Sequence, residues 1–213
     1  MNKDKLLVSS FTKLLLVGEI STLLFLEPSL KTLFLLNIIS EYVKEGKRVI
    51  VLDLDSKVSG YLKSSLIRIP NEKNILIYLP SENEVEDYVA KICSIKEHVF
   101  SILIFDSIST YYHISGGKDF GELNRRLSTL ITVLKNYALK NSSPLLLTSM
   151  YKARKPSTQE WILSPSGGRV VIKRSSCLFD LVKKYENKVL VKISRHKLKR
   201  WDKKELQVSL SIV

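Results

Sequence analysis

The feature that most constrains this chain is the alternation of short, unbroken apolar runs with stretches of helical period. Residues 22–26, 48–53, 74–79, 100–105 and 145–148 are apolar at most positions. A strand that is hydrophobic on both sides must be covered on both faces, which is the condition of a parallel sheet between layers of helices. Helical segments separate these runs. One follows Lys31-Thr32 to about Glu45, is apolar on most sides, and is closed by Gly46. A second spans roughly residues 82–97. A third places Phe120, Leu123, Leu127, Leu130, Ile131, Leu134 and Ala138 on one face. Residues 107–118 read as a polar, Gly-containing loop and 152–168 as a long polar loop. From Arg169 the pattern reads as β-hairpins, with strands over 169–173, 178–184, 188–194 and 206–213. The expectation is one α/β domain over residues 1–213. It has a mostly parallel twisted sheet flanked by helices and C-terminal antiparallel hairpins.

Charge is distributed unevenly along this pattern. The formal net charge is +13. Residues 151–204 hold sixteen Lys or Arg against four Asp or Glu, a net of +12, whereas residues 1–150 carry a net of only +2. A concentrated cation of this kind suits a polyanion, and nucleic acid is the default partner. No apolar run is long enough to span a bilayer. Lys3 and Lys5 precede the apolar residues 14–17, but Lys13 interrupts the approach and no small-residue cleavage pattern follows, so a cytoplasmic protein is expected. Cys93 and Cys177 stand far apart without metal-ligand spacing and read as reduced thiols. His113 and His196 are isolated from both, so a metal site is not expected.

In an open parallel sheet, ligands bind beyond the carboxyl ends of the strands. Lys31, Asp55, Asp106 and Ser149 fall at such ends. A phosphate-binding loop wraps phosphates in backbone N–H groups between a strand and a helix. Glycines permit the curve, a Lys bridges phosphates, and a Ser or Thr binds Mg²⁺. With Lys31-Thr32 aligned to the end of that motif, Phe25 takes the place of the first Gly, and Pro28 and Leu30 take the others. The strand–turn–Lys-Thr–helix context survives while the glycines do not.

Further segments follow in a recognisable order. Residues 102–108, Ile-Leu-Ile-Phe-Asp-Ser-Ile, look like a Walker B strand with Asp106 at its tip. Residues 51–55, Val-Leu-Asp-Leu-Asp, look like a strand ending in a catalytic carboxylate. Residues 145–149 look like a nucleotide-sensing strand, and Ser164-Pro165-Ser166-Gly167-Gly168 is similar to the Pro-x-Gly-Gly that closes a DNA-binding loop. The ordered set, from about residue 11 to 213, resembles the RecA/RadA recombinase superfamily. It is most similar to the short archaeal RadA paralogues, which lack an N-terminal helix-hairpin domain.

The resemblance implies a vestigial ATP and Mg²⁺ site at Lys31, Thr32 and Asp106, with Asp55 as a weak base one methylene shorter than the usual Glu. It also implies altered function. Met150 stands where a hydrogen-bonding sensor side chain belongs, and Leu30 is expected to crowd the phosphate space. Two DNA-facing loops are implied, at residues 111–120 and 151–168. Tyr111, Tyr112 and Lys118 belong to the first, and Lys152, Arg154, Lys155 and Trp161 to the second. Arg169, Lys173, Arg174, Arg195, Lys197, Lys199 and Arg200 extend the basic field over the C-terminal hairpins, and residues 197–204 form a cluster that either binds phosphate or stays solvated. Aromatics beside cations suit single-stranded DNA, by stacking and phosphate neutralisation. The function implied is that of an accessory factor in homologous recombination and DNA repair. It would bind single-stranded DNA beside RadA or another RecA-like paralogue, with little or no ATPase activity. The alternatives are a DNA-dependent ATPase with a rebuilt loop, or a non-catalytic protein–protein subunit of a recombinase complex.

Overall fold

The computed structural model describes residues 5–211 except 82, 96–99, 116–118, 155–161 and 186; the side chains of residues 5–7, 154, 162, 183 and 184 are also outside the description. In chain order the elements are β1 (Lys5–Leu7), α1 (Val8–Thr12), β2 (Ile20–Phe25), α2 (Pro28–Lys44), β3 (Val49–Asp53), α3 (Lys57–Lys63), β4 (Ile75–Tyr78), α4 (Val85–Cys93), β5 (Ile102–Asp106), α5 (Ile108–Ile114), α6 (Phe120–Lys140), β6 (Leu145–Arg154), β7 (Ile162–Pro165), α7 (Gly168–Arg174), β8 (Cys177–Tyr185), β9 (Lys188–Arg195) and β10 (Glu205–Ser209). The strands form one ten-stranded sheet in the order β1-β10-β9-β8-β2-β6-β5-β3-β4, with β7 paired to β6. The pairings among β8, β2, β6, β5, β3 and β4 are parallel, and β9 runs antiparallel to both β8 and β10.

The unbroken apolar runs are central strands whose alternate residues feed two cores. Val49 and Val51 of β3 and Ile102 and Ile104 of β5 point to one face, where α1 and α2 cover them. Ile50, Leu52, Leu103 and Phe105 point to the other, where α4, α5 and α6 cover them. This is the two-residue period of a strand expressed with apolar side chains at every position. On the first face Phe11 packs edge-on against Phe34 and Phe179, at 5.0 and 4.9 Å between ring centroids. It thereby ties the N-terminal helix to α2 and β8. Cys177 is buried and Cys93 half-buried, both as free thiols. Among the described residues, no helix is long and apolar enough to cross a membrane.

Four local expectations are corrected. The loop expected over 107–118 contains α5. Ser107 caps it by accepting a hydrogen bond from Thr110 N, and Ile108 and Tyr111 turn one face inward. The strand expected at 169–173 is α7, which starts at Gly167 with φ +78°. Only glycine adopts that conformation freely, and a Cβ there would lie 2.7 Å from Val171 Cγ2. The polar loop expected from 152 to 168 is partly a ribbon: β6 continues to Arg154 and β7 pairs back on it. Phe120, expected on the buried face of α6, is 71% exposed. It occupies the first helical position, ahead of Leu123, where the buried stripe begins.

Candidate functional site

The site lies at the carboxyl ends of β2, β3, β5 and β6. The connection from β2 to α2 decides its character. β2 ends at Phe25 and α2 already begins at Pro28, leaving Leu26 and Glu27 between them. Lys31 N donates to Glu27 O at 3.1 Å, so Lys31 sits inside the first helical turn. Pro28 is suited to such a start because its fixed φ is helical and its missing N–H is not needed there. Two residues leave no loop long enough to curl round a phosphate between β2 and α2. Leu30 therefore does not crowd the phosphate space, contrary to the expectation from the sequence. It is 3% exposed and packs in the core beneath α2, because residues of a helix turn inward or outward as a set.

Lys31 is fully buried. Its Nζ donates to both oxygens of Asp106, at 2.8 and 2.6 Å, and to Asp55 Oδ2 at 2.9 Å. An ammonium has three protons, and here three carboxylate oxygens surround it. Burial works against the charge of Lys31, but Asp106 and Asp55 outweigh it and raise its pKa. Asp106 is also fully buried; it accepts from Thr148 Oγ1 at 2.5 Å, and burial, partly offset by Lys31, pushes it up to about 6. Burial acts upward on Asp55 too, yet Lys31 and the Thr110, Lys31 and Ser107 hydrogen bonds bring its pKa below the ordinary value. Asp55 Oδ1 accepts from Ser107 Oγ at 3.0 Å and from Thr110 Oγ1. Asp53 is bonded elsewhere. Its Oδ2 accepts from Ser59 N at 2.8 Å and holds the start of α3.

These residues do not fit a nucleotide cradle. Thr32 Oγ1 donates to Pro28 O at 3.0 Å. Lys31 has its protons engaged, and both oxygens of Asp55 are occupied. One cation against two carboxylates also leaves the cluster with no excess positive charge for phosphate. A cavity of 390 Å³ opens beside it, lined by apolar Phe25, Pro28, Leu54 and Met150 with Lys57 and Lys152 among its other residues. Met150 N donates to Ser109 Oγ at 2.7 Å, and Ser149 Oγ donates to Ser166 O at 2.8 Å. The sensor-like strand is thus bonded to the Ser-Gly-Gly segment through Ser149 and to α5 through Met150.

The expected DNA-contacting residues separate. Lys152, Arg169, Lys173, Arg174 and Arg195 are exposed. Tyr111 is not available for stacking: it is 1% exposed and packs edge-on against Phe105 and Tyr112. Its inward face was legible in the spacing Ile108–Tyr111. Tyr112 is half-buried and its hydroxyl donates to Asn124 Oδ1. Lys118, Lys155 and Trp161 lie outside the described residues, as does the side chain of Arg154. Arg174 donates to Thr132 Oγ1 at 2.7 Å and to Ser128 Oγ, and Arg195 donates to the carbonyls of Ile172 and Ser175 at 2.6 and 3.2 Å. Both fasten α7 to its neighbours, a role sequence reasoning missed because the partners are distant in the chain.

No family model matches the sequence. No curated protein matches it either. Comparison of structures is decisive for the architecture. A solved structure, the crystal structure of the RadB recombinase, superposes with a TM-score of 0.70 over 93% of this chain and 91% of that chain. The fold is RecA-like. At 16% sequence identity the likeness is one of architecture. It aligns the RecA-like core over nearly the whole length, so the Lys31 cluster occupies the strand ends where the fold places its ligand site.

Proposed function

We propose that this RecA-like chain is an accessory factor of homologous recombination and DNA repair that binds single-stranded DNA and works beside RadA or another RecA-like paralogue, with little or no ATP turnover. The observation that carries this reading is the buried Lys31 ammonium, held by Asp106 and Asp55 at the fold's ligand site. All three ammonium protons are already given to carboxylate oxygens, so a phosphate would have to displace at least one of those bonds to reach the lysine. Catalytic groups of this kind contribute through preorganised electrostatics, and loss of one element lowers rates by ~10²–10³. Here cradle, base and sensor are altered together.

DNA binding is assigned to the end of β6 with Lys152 and Arg154, to Lys155 and Trp161 that follow it in sequence, and to Arg169 at the start of α7. Lys152 and Arg169 are exposed at the same end of the sheet as the Lys31 cluster. The test measures binding of labelled oligo-dT by fluorescence anisotropy, together with steady-state ATP hydrolysis. The expected result is salt-sensitive binding that Arg154→Glu with Lys155→Glu weakens far more than Lys31→Ala, and no DNA-stimulated turnover. DNA-stimulated turnover abolished by Lys31→Ala would overturn the reading in favour of an active ATPase.

A further inference from the structure

The basic residues of the C-terminal half do not form one field, because strand direction sends them to opposite ends of the sheet. β8 is parallel to β2, with Ser21 opposite Cys177 and Leu24 opposite Asp180. β9 returns antiparallel, with Leu178 opposite Arg195. Arg195 and the segment after it therefore lie at the amino ends of the parallel strands, the end away from Lys31, Asp55 and Asp106. An ion pair of Lys197 with Glu19, the residue just before β2, fixes the same placement.

Segment 196–204 is closed by its own hydrogen bonds. His196 is 4% exposed. Its Nδ1 accepts from Leu198 N at 3.0 Å, so Nε2 carries the proton and donates to Leu14 O at 3.1 Å. Asp202 Oδ1 accepts from His196 N at 3.0 Å, and Ile193 N donates to Lys204 O at 2.7 Å. Trp201 packs against the core, with Arg200 and Lys204 over its ring at 5.9 and 5.2 Å. Lys203 holds φ +56°, a conformation that favours glycine, yet the residue there is a cation. Lys199, Arg200, Lys203 and Lys204 are exposed, and none of them has a carboxylate within ion-pair distance among the described residues. The nearby carboxylates are engaged: Glu19 by Lys197 and Ser176, Asp202 by the His196 backbone.

We propose that segment 196–204 is a second nucleic-acid surface, fitted to the phosphate backbone of duplex DNA. The chain would then hold a duplex at one end of its sheet and a single strand at the other. The choice of duplex follows from what the segment offers. Its Trp ring is half-buried, packs against the core and already has Arg200 and Lys204 over it, so the base stacking that single-strand binding uses would have to displace those cations. What it does offer is an array of exposed cations with no carboxylate partner among the described residues, which suits a row of phosphates and reads no sequence. The bridging part of the proposal rests on single-strand binding at the opposite end; the duplex contact does not.

The test uses the full chain and a variant carrying Lys199→Glu, Arg200→Glu and Lys203→Glu, with Lys199→Gln, Arg200→Gln and Lys203→Gln as a milder second variant. Thermal melts establish that both fold. Affinity for a mixed-sequence duplex and for oligo-dT is followed by anisotropy across salt concentrations. In the Gln variant the duplex slope of log affinity against log salt should shrink by about 3, one unit for each lost phosphate contact. Affinity for oligo-dT should stay within about twofold, and bead-bound oligo-dT should capture labelled duplex through the wild type only. Duplex affinity and slope unchanged in both variants would overturn the proposal, as would duplex and oligo-dT weakening in parallel. No duplex binding by the wild type even at low salt would also overturn it, and would point to an acidic protein partner. Failure to bind oligo-dT with duplex binding intact would sink the single-strand reading and leave the duplex surface standing.

Discussion

The two ends of the sheet treat charge in opposite ways. At the carboxyl end, Lys31, Asp55 and Asp106 are drawn together and consume one another's hydrogen-bonding capacity. At the amino end, Lys199, Arg200, Lys203 and Lys204 stand exposed on a hydrogen-bonded turn and are left without acidic partners among the described residues. A lysine counts the same in a charge total in either place, but its chemistry differs. A buried, paired cation is part of the fold, and removing its partner leaves an uncompensated charge. An exposed, unpaired cation contributes little to stability and remains free for a polyanion. The frame is RecA-like, and the charged residues at its carboxyl strand ends are bonded to one another.

The largest effect is expected from Lys31→Met, which would leave Asp106 and Asp55 facing each other in the interior. Loss of a buried partner of this kind costs about 3–5 kcal/mol, measurable by urea denaturation. Lys31→Met combined with Asp106→Leu should recover much of that loss, since an apolar replacement of the whole pair removes the desolvation cost as well. A denaturation profile in which Lys31→Met is neutral would break the contrast between the two ends.

A smaller loss, about 1–3 kcal/mol, is expected for Gly167→Ala, through the positive φ and the 2.7 Å approach to Val171. It would separate the scaffold of the α7 start from charge effects, because wild-type pH dependence should persist. That dependence has a stated sign. The pKa of Asp55 is lowered on folding, so its stabilisation is present above the unfolded value of 3.8 and is lost as pH falls through the folded one. The pKa of Asp106 is raised to about 6, so stability should decline as pH rises from 3.8 to about 6. Asp106→Asn should flatten that decline in pH-dependent thermal melts; an unchanged profile would place the titration elsewhere.

The smallest effect belongs to the exposed end. Arg174→Ala should cost about 0.5 kcal/mol, despite its contacts to Ser128 and Thr132, because an exposed side chain exchanges such bonds readily with water. A loss several times larger in chemical denaturation would mean that this end is also structural.

Much of the architecture was legible in the sequence. Five of the six strands of the parallel set and the long helices α2 and α6 follow from apolar periodicity, and the strand ends located Lys31, Asp55 and Asp106; the parallel pairing of β8 with β2 was not legible. What was not legible depended on partners far apart. The Lys31–Asp106 bond spans 75 residues, so no local pattern announces that the lysine is spent. α5 and α7 are only seven residues each, too short for a helical period to stand out, and a single cap or glycine decides them. The inward turn of Leu30 was hidden because α2 starts earlier than the motif alignment implies. The division of the basic half into two ends required the direction of β9, which hydrophobic alternation does not encode.

The central claim is that Lys31 serves as an internal counter-ion to Asp106 and Asp55 and is not a phosphate ligand. Isothermal calorimetry of the wild-type chain with ATP and Mg²⁺, carried to ~1 mM nucleotide, a concentration at which binding of about 4 kcal/mol is half-saturated, tests it most directly. No saturable one-to-one isotherm is expected. A stoichiometric isotherm that Lys31→Ala abolishes would contradict the claim.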